Sequence, residues 1–212
     1  PANAAERTKT AGFKSVFEDS PGIDFETIST PVITVDNAAK KVGTYLAAGN
    51  DYDVGWGATP GLIIGIVQAT EQAGLDPSER ILLGNDGERL TLEYIRKGII
   101  KGCTDQPVPY YGPLALKYMP EPGTTLTYGD GPGEINIEGN EHLGIDPWAF
   151  DEEVYLPAPV VNFKDANKLQ TKEEIQADFP WIKPRVPLIT KENVDKSAWW
   201  GNLPIDWAKA VK

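Results

Sequence analysis

The feature that most constrains the fold of this chain is the alternation of short apolar runs with helical patterns between residues 52 and 106. The apolar runs cover residues 54–57, 81–84 and 99–103. Short apolar runs separated by helical patterns are typical of buried parallel strands joined by crossover helices. Each run ends in small or polar residues, and small ligands bind at the carboxyl edge of such a sheet. The same stretch therefore predicts both a fold and a place for a site.

The patterns predict an alternation of four helices and four strands before residue 106. The helices cover residues 4–18, 36–48, 60–73 and 88–97, and the strands cover residues 23–28, 54–57, 81–83 and 99–104. Asp36 is the expected N-cap of the second helix, and Thr59-Pro60 opens the third. This order favours a doubly wound parallel sheet with right-handed crossovers. Such a domain normally opens on a strand, so we expect an upstream part to be missing.

After residue 106 the chain changes character. We assign residues 1–109 to an α/β ligand-binding domain and residues 110–212 to an irregular C-terminal extension with a Trp-rich tail. The predicted elements of the extension are a helix over 110–118, a hairpin over 124–138, a strand within 154–163, a helix over 171–179 and an extended segment over 180–187.

Composition excludes several classes of protein. Twenty Lys and Arg against 31 Asp and Glu give a net charge of −11, which disfavours binding to nucleic acid. No apolar run approaches the roughly 18 residues that a membrane-spanning helix needs, so we expect no direct membrane insertion. A single cysteine, Cys103, excludes an internal disulfide and leaves the redox compartment open.

Residues for catalysis or metal binding are scarce. His142 is the only histidine and Cys103 the only thiol, so no nucleophile–histidine pair or metal-type histidine cluster can be assembled. Cys103 lies within a predicted strand, where a buried and inert thiol is the default. Residues 84–87 lack the glycine spacing and the lysine of a phosphate loop. We expect no catalytic residue, no metal and no cofactor, although an acid–base pair of carboxylates stays open.

Five residues are candidates for binding a ligand, and each has a structural alternative. Asp86 follows a strand and can accept two hydroxyl hydrogen bonds, or it can cap the next helix. Thr59 has the same two options, with capping favoured. Gln106 offers a donor and acceptors, or a backbone hydrogen bond at the strand end. Trp56 can stack on a sugar or lie in the core, and Arg7 is ordinarily a surface charge.

Several segments resemble the sugar-binding members of the type I periplasmic binding proteins, the solute receptors of ABC importers. They are residues 1–13, 53–60, 83–87 (Leu-Gly-Asn-Asp-Gly) and 98–106, in the order of that family. Residues 129–137 and 155–163 resemble the rhamnose and autoinducer-2 receptor branch. The resemblance covers most of residues 1–163.

The resemblance implies a role for each candidate. Asp86 would bind sugar hydroxyls, Gln106 would bind ligand near the hinge, and Arg7 would clamp the ligand. Thr59 stands where many members have Asn or Asp. The chain would be a C-terminal lobe without its N-terminal lobe, and it would form one wall of a two-lobed site.

The function expected from the resemblance is the binding of a monosaccharide or polyol for an ABC importer, without enzymatic activity. The expected partners are the sugar, the membrane permease, and the missing lobe or a partner chain. The expected location is the periplasm, or outside the cell on a lipid anchor. Two alternatives stay open: the effector-binding domain of a lac-type repressor, and a sugar-active enzyme on the same scaffold.

Overall fold

The computed structural model describes residues 4–106, 108, 111, 160–162, 180–182 and 185–203. The helices are α1 (Ala4–Ser15), α2 (Val35–Ala47), α3 (Pro60–Gln72) and α4 (Arg89–Arg96). The strands are β1 (Val54–Trp56), β2 (Ile81–Asp86), β3 (Ile100–Asp105), β4 (Val160–Asn162), β5 (Pro180–Ile182) and β6 (Leu188–Thr190). Short 3-10 turns cover Pro77–Glu79 and Trp200–Asn202.

The chain divides into two units. The first comprises Pro1–Asp105 with Leu188–Val194, and the second comprises Gln106–Pro187 with Asp195–Lys212. The first unit therefore takes in a short segment that lies far beyond residue 109. In the second unit β4 and β5 form an antiparallel ribbon, and the buried Trp199 has the Lys196 ammonium 5.9 Å from its ring centroid.

The sheet of the first unit has the strand order β1-β2-β3-β6. β1, β2 and β3 pair in parallel, and β6 adds to β3 in the antiparallel sense. The predicted α/β class with a mostly parallel sheet is thus confirmed, with one antiparallel edge strand that the sequence pattern did not indicate.

Helices cover both faces of β1. Neighbouring residues of a strand point to opposite faces, so the contacts of Gly55 and Trp56 show what lies on each face. A Cβ on Gly55 would lie 3.3 Å from Ile66 of α3, whereas the Trp56 ring stacks on Phe13 of α1. The core between the sheet and the crossover helices consists of fully buried aliphatic side chains, among them Ile63, Val67, Leu82, Leu92, Ile95 and Ile100. This double covering is what a doubly wound sheet requires.

The strand predicted over residues 23–28 is wrong. This segment is neither helix nor strand, and within the described residues its only backbone hydrogen bond joins Ile23 N–H to Ser20 O. Phe25 alone in this segment packs inward, with its ring 6.2 Å from that of Phe13, whereas Ile23 is 50% exposed. Alternation shows which side of an extended segment is apolar and cannot show whether a neighbouring strand lies within hydrogen-bond distance.

The predicted cap of α2 is also wrong. Thr34, not Asp36, is the N-cap, and its hydroxyl accepts a hydrogen bond of 3.2 Å from Asn37 N–H. Asp36 lies within the first turn, where its charge still complements the helix dipole.

Other predicted boundaries hold to within a few residues, except that β2 is three residues longer than expected. The predicted helices over 110–118 and 171–179, the hairpin over 124–138 and His142 lie outside the described residues. Within the described part of the chain, no helix is both long and apolar enough to cross a membrane.

Two helical glycines provide a matched test of this packing. In α3, a Cβ on Gly65 would lie 2.5 Å from Ala38 Cβ and 2.6 Å from Val35 O, so α2 and α3 are in backbone contact there. In α2, a Cβ on Gly43 would meet nothing within 4 Å. We expect Gly65→Ala to lower the free energy of unfolding by about 1–3 kcal/mol through overpacking. Gly43→Ala should raise it by about 0.5–1 kcal/mol through helix propensity.

Urea denaturation of the two variants and the parent chain measures both effects. Equal effects of the two substitutions would contradict the close approach of α2 and α3.

Candidate functional site

The three parallel strands end at one edge of the sheet, where a hydrogen-bonded network joins them. Asn85 at the end of β2 is buried, and its amide donates to Ala58 O beyond β1 at 3.4 Å. The Thr104 hydroxyl of β3 donates to Asn85 Oδ1. Asn85 therefore ties the ends of β1, β2 and β3 together and fixes the edge that carries the candidate residues.

Asp86 ends β2 in a backbone conformation that is unusual for a side-chain-bearing residue. Its φ is +76°, and the φ of Gly87 is +63°. A Cβ on Gly87 would lie 2.5 Å from Asp105 Oδ1, so glycine is needed for space as well. Left-handed backbone in a residue other than glycine costs energy and often marks a functional site. The N-cap position of α4 is held by Glu88, whose side chain makes no capping hydrogen bond, so Asp86 is not the N-cap residue of this helix.

Lys9 of α1 reaches the Asp86 carboxylate. Its ammonium donates to Oδ1 at 3.0 Å, to Oδ2 at 3.3 Å and to Ala58 O at 3.1 Å. The side chains of Lys9 and Asp86 are only 28% and 17% exposed, so this ion pair is largely shielded from water.

Lys9, rather than Arg7, is the α1 cation that contacts Asp86, and helix geometry explains the difference. Phe13 faces Trp56, and Lys9 precedes it by four residues, which places both on one face of the helix. Arg7 precedes Phe13 by six residues and is exposed. Lys9 was not among the candidates, but its spacing of four residues from Phe13 could have identified it as facing the sheet edge.

Glu6 was also missed by the sequence analysis. It is 6% exposed, its Oε1 lies 3.7 Å from the Lys9 ammonium, and its Oε2 has no hydrogen-bond partner within the described residues. Burial raises the pKa of the Glu6 carboxyl, the Lys9 charge lowers it, and the Asp86 charge raises it. Glu6 is therefore a buried carboxylate paired with Lys9, whose ammonium lies closer to Asp86 than to Glu6.

Thr59 holds the N-cap position of α3, but its side chain makes no capping hydrogen bond. Its Oγ1 is buried and has no hydrogen-bond partner in the described part of the chain. The predicted N-cap position of Thr59 is therefore confirmed, whereas its side chain does not cap the helix. The residue before it, Ala58, supplies the carbonyl that Lys9 and Asn85 share.

Trp56 is half-buried at the end of β1, and its ring stacks on Phe13 with centroids 4.7 Å apart and planes 6° from parallel. It lines a cavity of about 550 Å³ bounded by α1, residues 22–30, β1 and α2. Glu6 and the aromatic rings of Phe13, Phe17, Phe25, Tyr45 and Tyr52 line the same cavity. Trp56 thus has one ring face occupied by Phe13 and also contributes to a cavity wall.

Gln106 directly follows β3 and is half-buried. Its carbonyl accepts a hydrogen bond of 2.7 Å from Val108 N–H, and it is the first residue of the second unit. Its role in binding stays a prediction.

Cys103 and Asp105 lie in β3 beneath this edge. Cys103 is 1% exposed. Its burial, and to a smaller extent the charge of Asp105, raises the pKa of its thiol to about 12. The described residues contain no cluster of three or more His, Cys, Asp or Glu side chains that could hold a metal ion.

Residues 1–120, more than half of the chain, match the family described as periplasmic binding protein domain. The chain belongs to this family. Its helix-covered, mostly parallel sheet is consistent with the type I fold of periplasmic binding proteins. No curated protein sequence matches the chain.

Solved structures of low identity resemble the chain. One is the substrate-binding protein of a sugar ABC transport system from Bordetella parapertussis 12822, with 17% identity, 89% of this chain and 47% of that chain covered, and a TM-score of 0.56. Another is the periplasmic binding protein component of the arabinose ABC transporter from Shewanella sp. ANA-3. It has 22% identity and a TM-score of 0.43, and the match covers 46% of this chain and 33% of that chain.

The likeness to the Bordetella protein supports the fold alone. The chain spans less than half the length of each of these two proteins.

Replacing the two threonines at helix N-caps by valine tests which of them is a cap. Thr34→Val should lower the free energy of unfolding by about 1 kcal/mol, because it removes the hydroxyl that accepts from Asn37 N–H. Thr59→Val should change it by less than about 0.5 kcal/mol, because no capping bond is lost. Thermal denaturation followed by circular dichroism compares them, and a larger loss at Thr59 would contradict the geometry.

The buried thiol gives a second test. We expect Cys103 to react with a thiol reagent such as Ellman's reagent only after unfolding, because it is 1% exposed and its raised pKa keeps it protonated near neutral pH. The measurement compares the labelling rate of the native chain with that in urea. Rapid labelling of the native chain would contradict the burial of β3.

Proposed function

We propose that this chain is part of the sugar-binding component of an ABC importer and supplies one wall of the ligand site. The observation that carries the proposal is the Asp86 carboxylate, held at the sheet edge in a left-handed backbone conformation and contacted by Lys9. Membership of the periplasmic binding protein family supports it. The rhamnose and autoinducer-2 branch remains part of the proposal, on the sequence motifs alone.

The residues at this edge have the chemistry that a polyol needs. Each sugar hydroxyl both donates and accepts, so a site requires acceptors and donors side by side. Asp86 is the acceptor, Lys9 holds its carboxylate in place with two hydrogen bonds, and the Thr59 hydroxyl, which has no partner within the described residues, can donate and accept. Burial shields these groups from water, which strengthens each hydrogen bond they make.

The other predicted residues complete the proposal. We propose Gln106 and Arg7 as further polar contacts and Trp56 as an apolar contact. The facing wall would come from another lobe or chain that closes over the ligand by a hinge motion. The permease would then receive the ligand, and the protein would act in the periplasm or outside the cell on a lipid anchor.

Asp86→Asn tests the proposal. Hydrogen bonds to a charged acceptor contribute about 1.5–3 kcal/mol, so losing the charge should weaken sugar binding by about 10- to 100-fold. Saturation-transfer NMR with a panel of neutral pentoses and hexoses measures binding to the chain even when it is weak. Lys9→Met and Arg7→Met, measured in the same way, show which α1 cation contributes more, and we expect the larger loss at Lys9.

Asp19→Asn is the matched control, because Asp19 is exposed in the turn that follows α1. It should bind as the parent chain does. Undiminished binding in a folded Asp86→Asn variant would contradict the assigned site. Because the chain supplies one wall, we expect it to bind sugar weakly or not at all by itself, and a micromolar affinity in titration calorimetry would contradict the one-wall assignment.

A further inference from the structure

One edge of β1 has no neighbouring strand within the described residues. β1 bonds to β2 through its odd-numbered positions, since Asp53 O accepts from Ile81 N–H and Gly57 N–H donates to Leu83 O. Backbone groups of successive strand residues point to opposite sides, so those of the even-numbered positions point away from β2. β1 stands at the end of the strand order β1-β2-β3-β6, and these groups therefore form an open sheet edge.

This edge lacks the features that protect natural edge strands. Such strands carry charged residues, proline or bulges, which prevent another strand from pairing with them. β1 consists of Val54, Gly55 and Trp56, and its pairing with β2 shows no bulge. An unprotected open edge of this kind is a template for one more strand.

The cavity of about 550 Å³ lies along this edge. Two runs of consecutive residues line it, 51–56 around β1 and 22–30. The rest of its lining includes one face of α1, made of residues three and four positions apart: Glu6, Thr10, Phe13 and Phe17. The Phe13 ring lies 4.7 Å from that of Trp56 and 6.2 Å from that of Phe25, so it reaches from one run to the other.

A strand fits this space because the elements of a wider sheet already surround it. A parallel sheet is normally covered by helices on both faces. α1 covers one side of β1 through Phe13, α3 covers the other through Ile66, and both residues also line the cavity. A strand beside β1 would hydrogen-bond to the open edge and bury both of its faces against these helices.

α1 fixes the direction of such a strand. Lys9 contacts Ala58 O, and Phe13, four residues later, stacks on Trp56, which precedes Ala58. α1 therefore begins at the carboxyl edge of the sheet and runs antiparallel to β1, as a helix that follows a parallel strand does. A strand parallel to β1 ends at that same edge, and about two to six residues commonly connect a strand to its helix.

We propose that the cavity is a strand slot, which accepts a β-strand that runs parallel to β1 and leads directly into α1. Its occupant is the polypeptide segment that precedes α1. Because helices cover both faces, this strand is a continuous apolar run rich in Val and Ile. Its length is about five or six residues, since residues 51–56 line the slot. The slot also explains why residues 23–28 have a strand pattern but form no strand, because their neighbour in the sheet is the inserted strand and not β1.

The experiment adds a strand to the full chain. The sequence Val-Ile-Val-Val-Ile, after two lysines for solubility, is fused ahead of Pro1. Amide hydrogen exchange is measured by NMR at Val54 and Trp56, with Gly57 as the reference because it already donates to Leu83 O. We expect the amides of Val54 and Trp56 to exchange at least about tenfold more slowly than in the parent chain, and the melting temperature to rise.

The matched control has the same extension with proline in place of its central valine, because proline cannot donate a hydrogen bond and is excluded from central strands. It should leave both exchange rates and the melting temperature as in the parent chain. The unmodified strand with its two lysines, supplied as a separate capped peptide, gives a second measurement that does not depend on the folding of the fused chain. It should slow the same two amides.

Slow exchange of Val54 and Trp56 in the parent chain would show that the edge is already paired. The partner would be another segment of the same chain or, if analytical ultracentrifugation finds a dimer, a second copy, and either result would overturn the proposal. Equal slowing by the proline control would overturn it too, as would the absence of slowing with both the fused and the separate strand. None of these measurements involves a sugar, so the strand slot is tested independently of the proposed function.

Discussion

Parallel pairing of β1, β2 and β3 is the constraint on which the rest of the structure depends. Parallel strands need crossover helices, and here α3 connects β1 to β2 and α4 connects β2 to β3. Both helices bury aliphatic side chains in the core beside the sheet. The same pairing brings all three carboxyl ends to one edge, where the strand hydrogen bonds stop. Polar groups that are far apart in sequence, such as the Ala58 carbonyl, the Asn85 amide and the Thr104 hydroxyl, can therefore meet there.

The ion pair of Lys9 and Asp86 joins the first helix to that edge. An ion pair shielded from water must compensate for lost hydration, and Lys9 does so with an additional hydrogen bond to Ala58 O. Glu6 stays less well compensated, and Thr59 keeps a buried hydroxyl without a partner in the described residues. Buried polar atoms without a hydrogen-bond partner lower stability.

Sequence patterns predicted most of the first unit well. β1, α3, α4 and β3 lie where apolar runs, helical spacing and the Thr59-Pro60 pair placed them. Asp86 was located correctly at a strand end, because a strand pattern followed by Asp and Gly indicates a turn. The strand over residues 23–28 failed because pairing depends on a neighbour, and β6 was missed because three residues form too short a pattern to recognise.

The sequence by itself determined the class of fold, the polar edge of the sheet that we propose as the ligand site, and the scarcity of catalytic groups, since these follow from local periodicity and composition. Only the tertiary structure decided that Lys9 contacts Asp86, that Thr59 does not cap its helix and that Glu6 is buried with an unpaired oxygen. The physical reason is that a side chain's partners depend on which elements pack together. Residues 6, 9 and 86 meet only when α1 lies against the sheet edge.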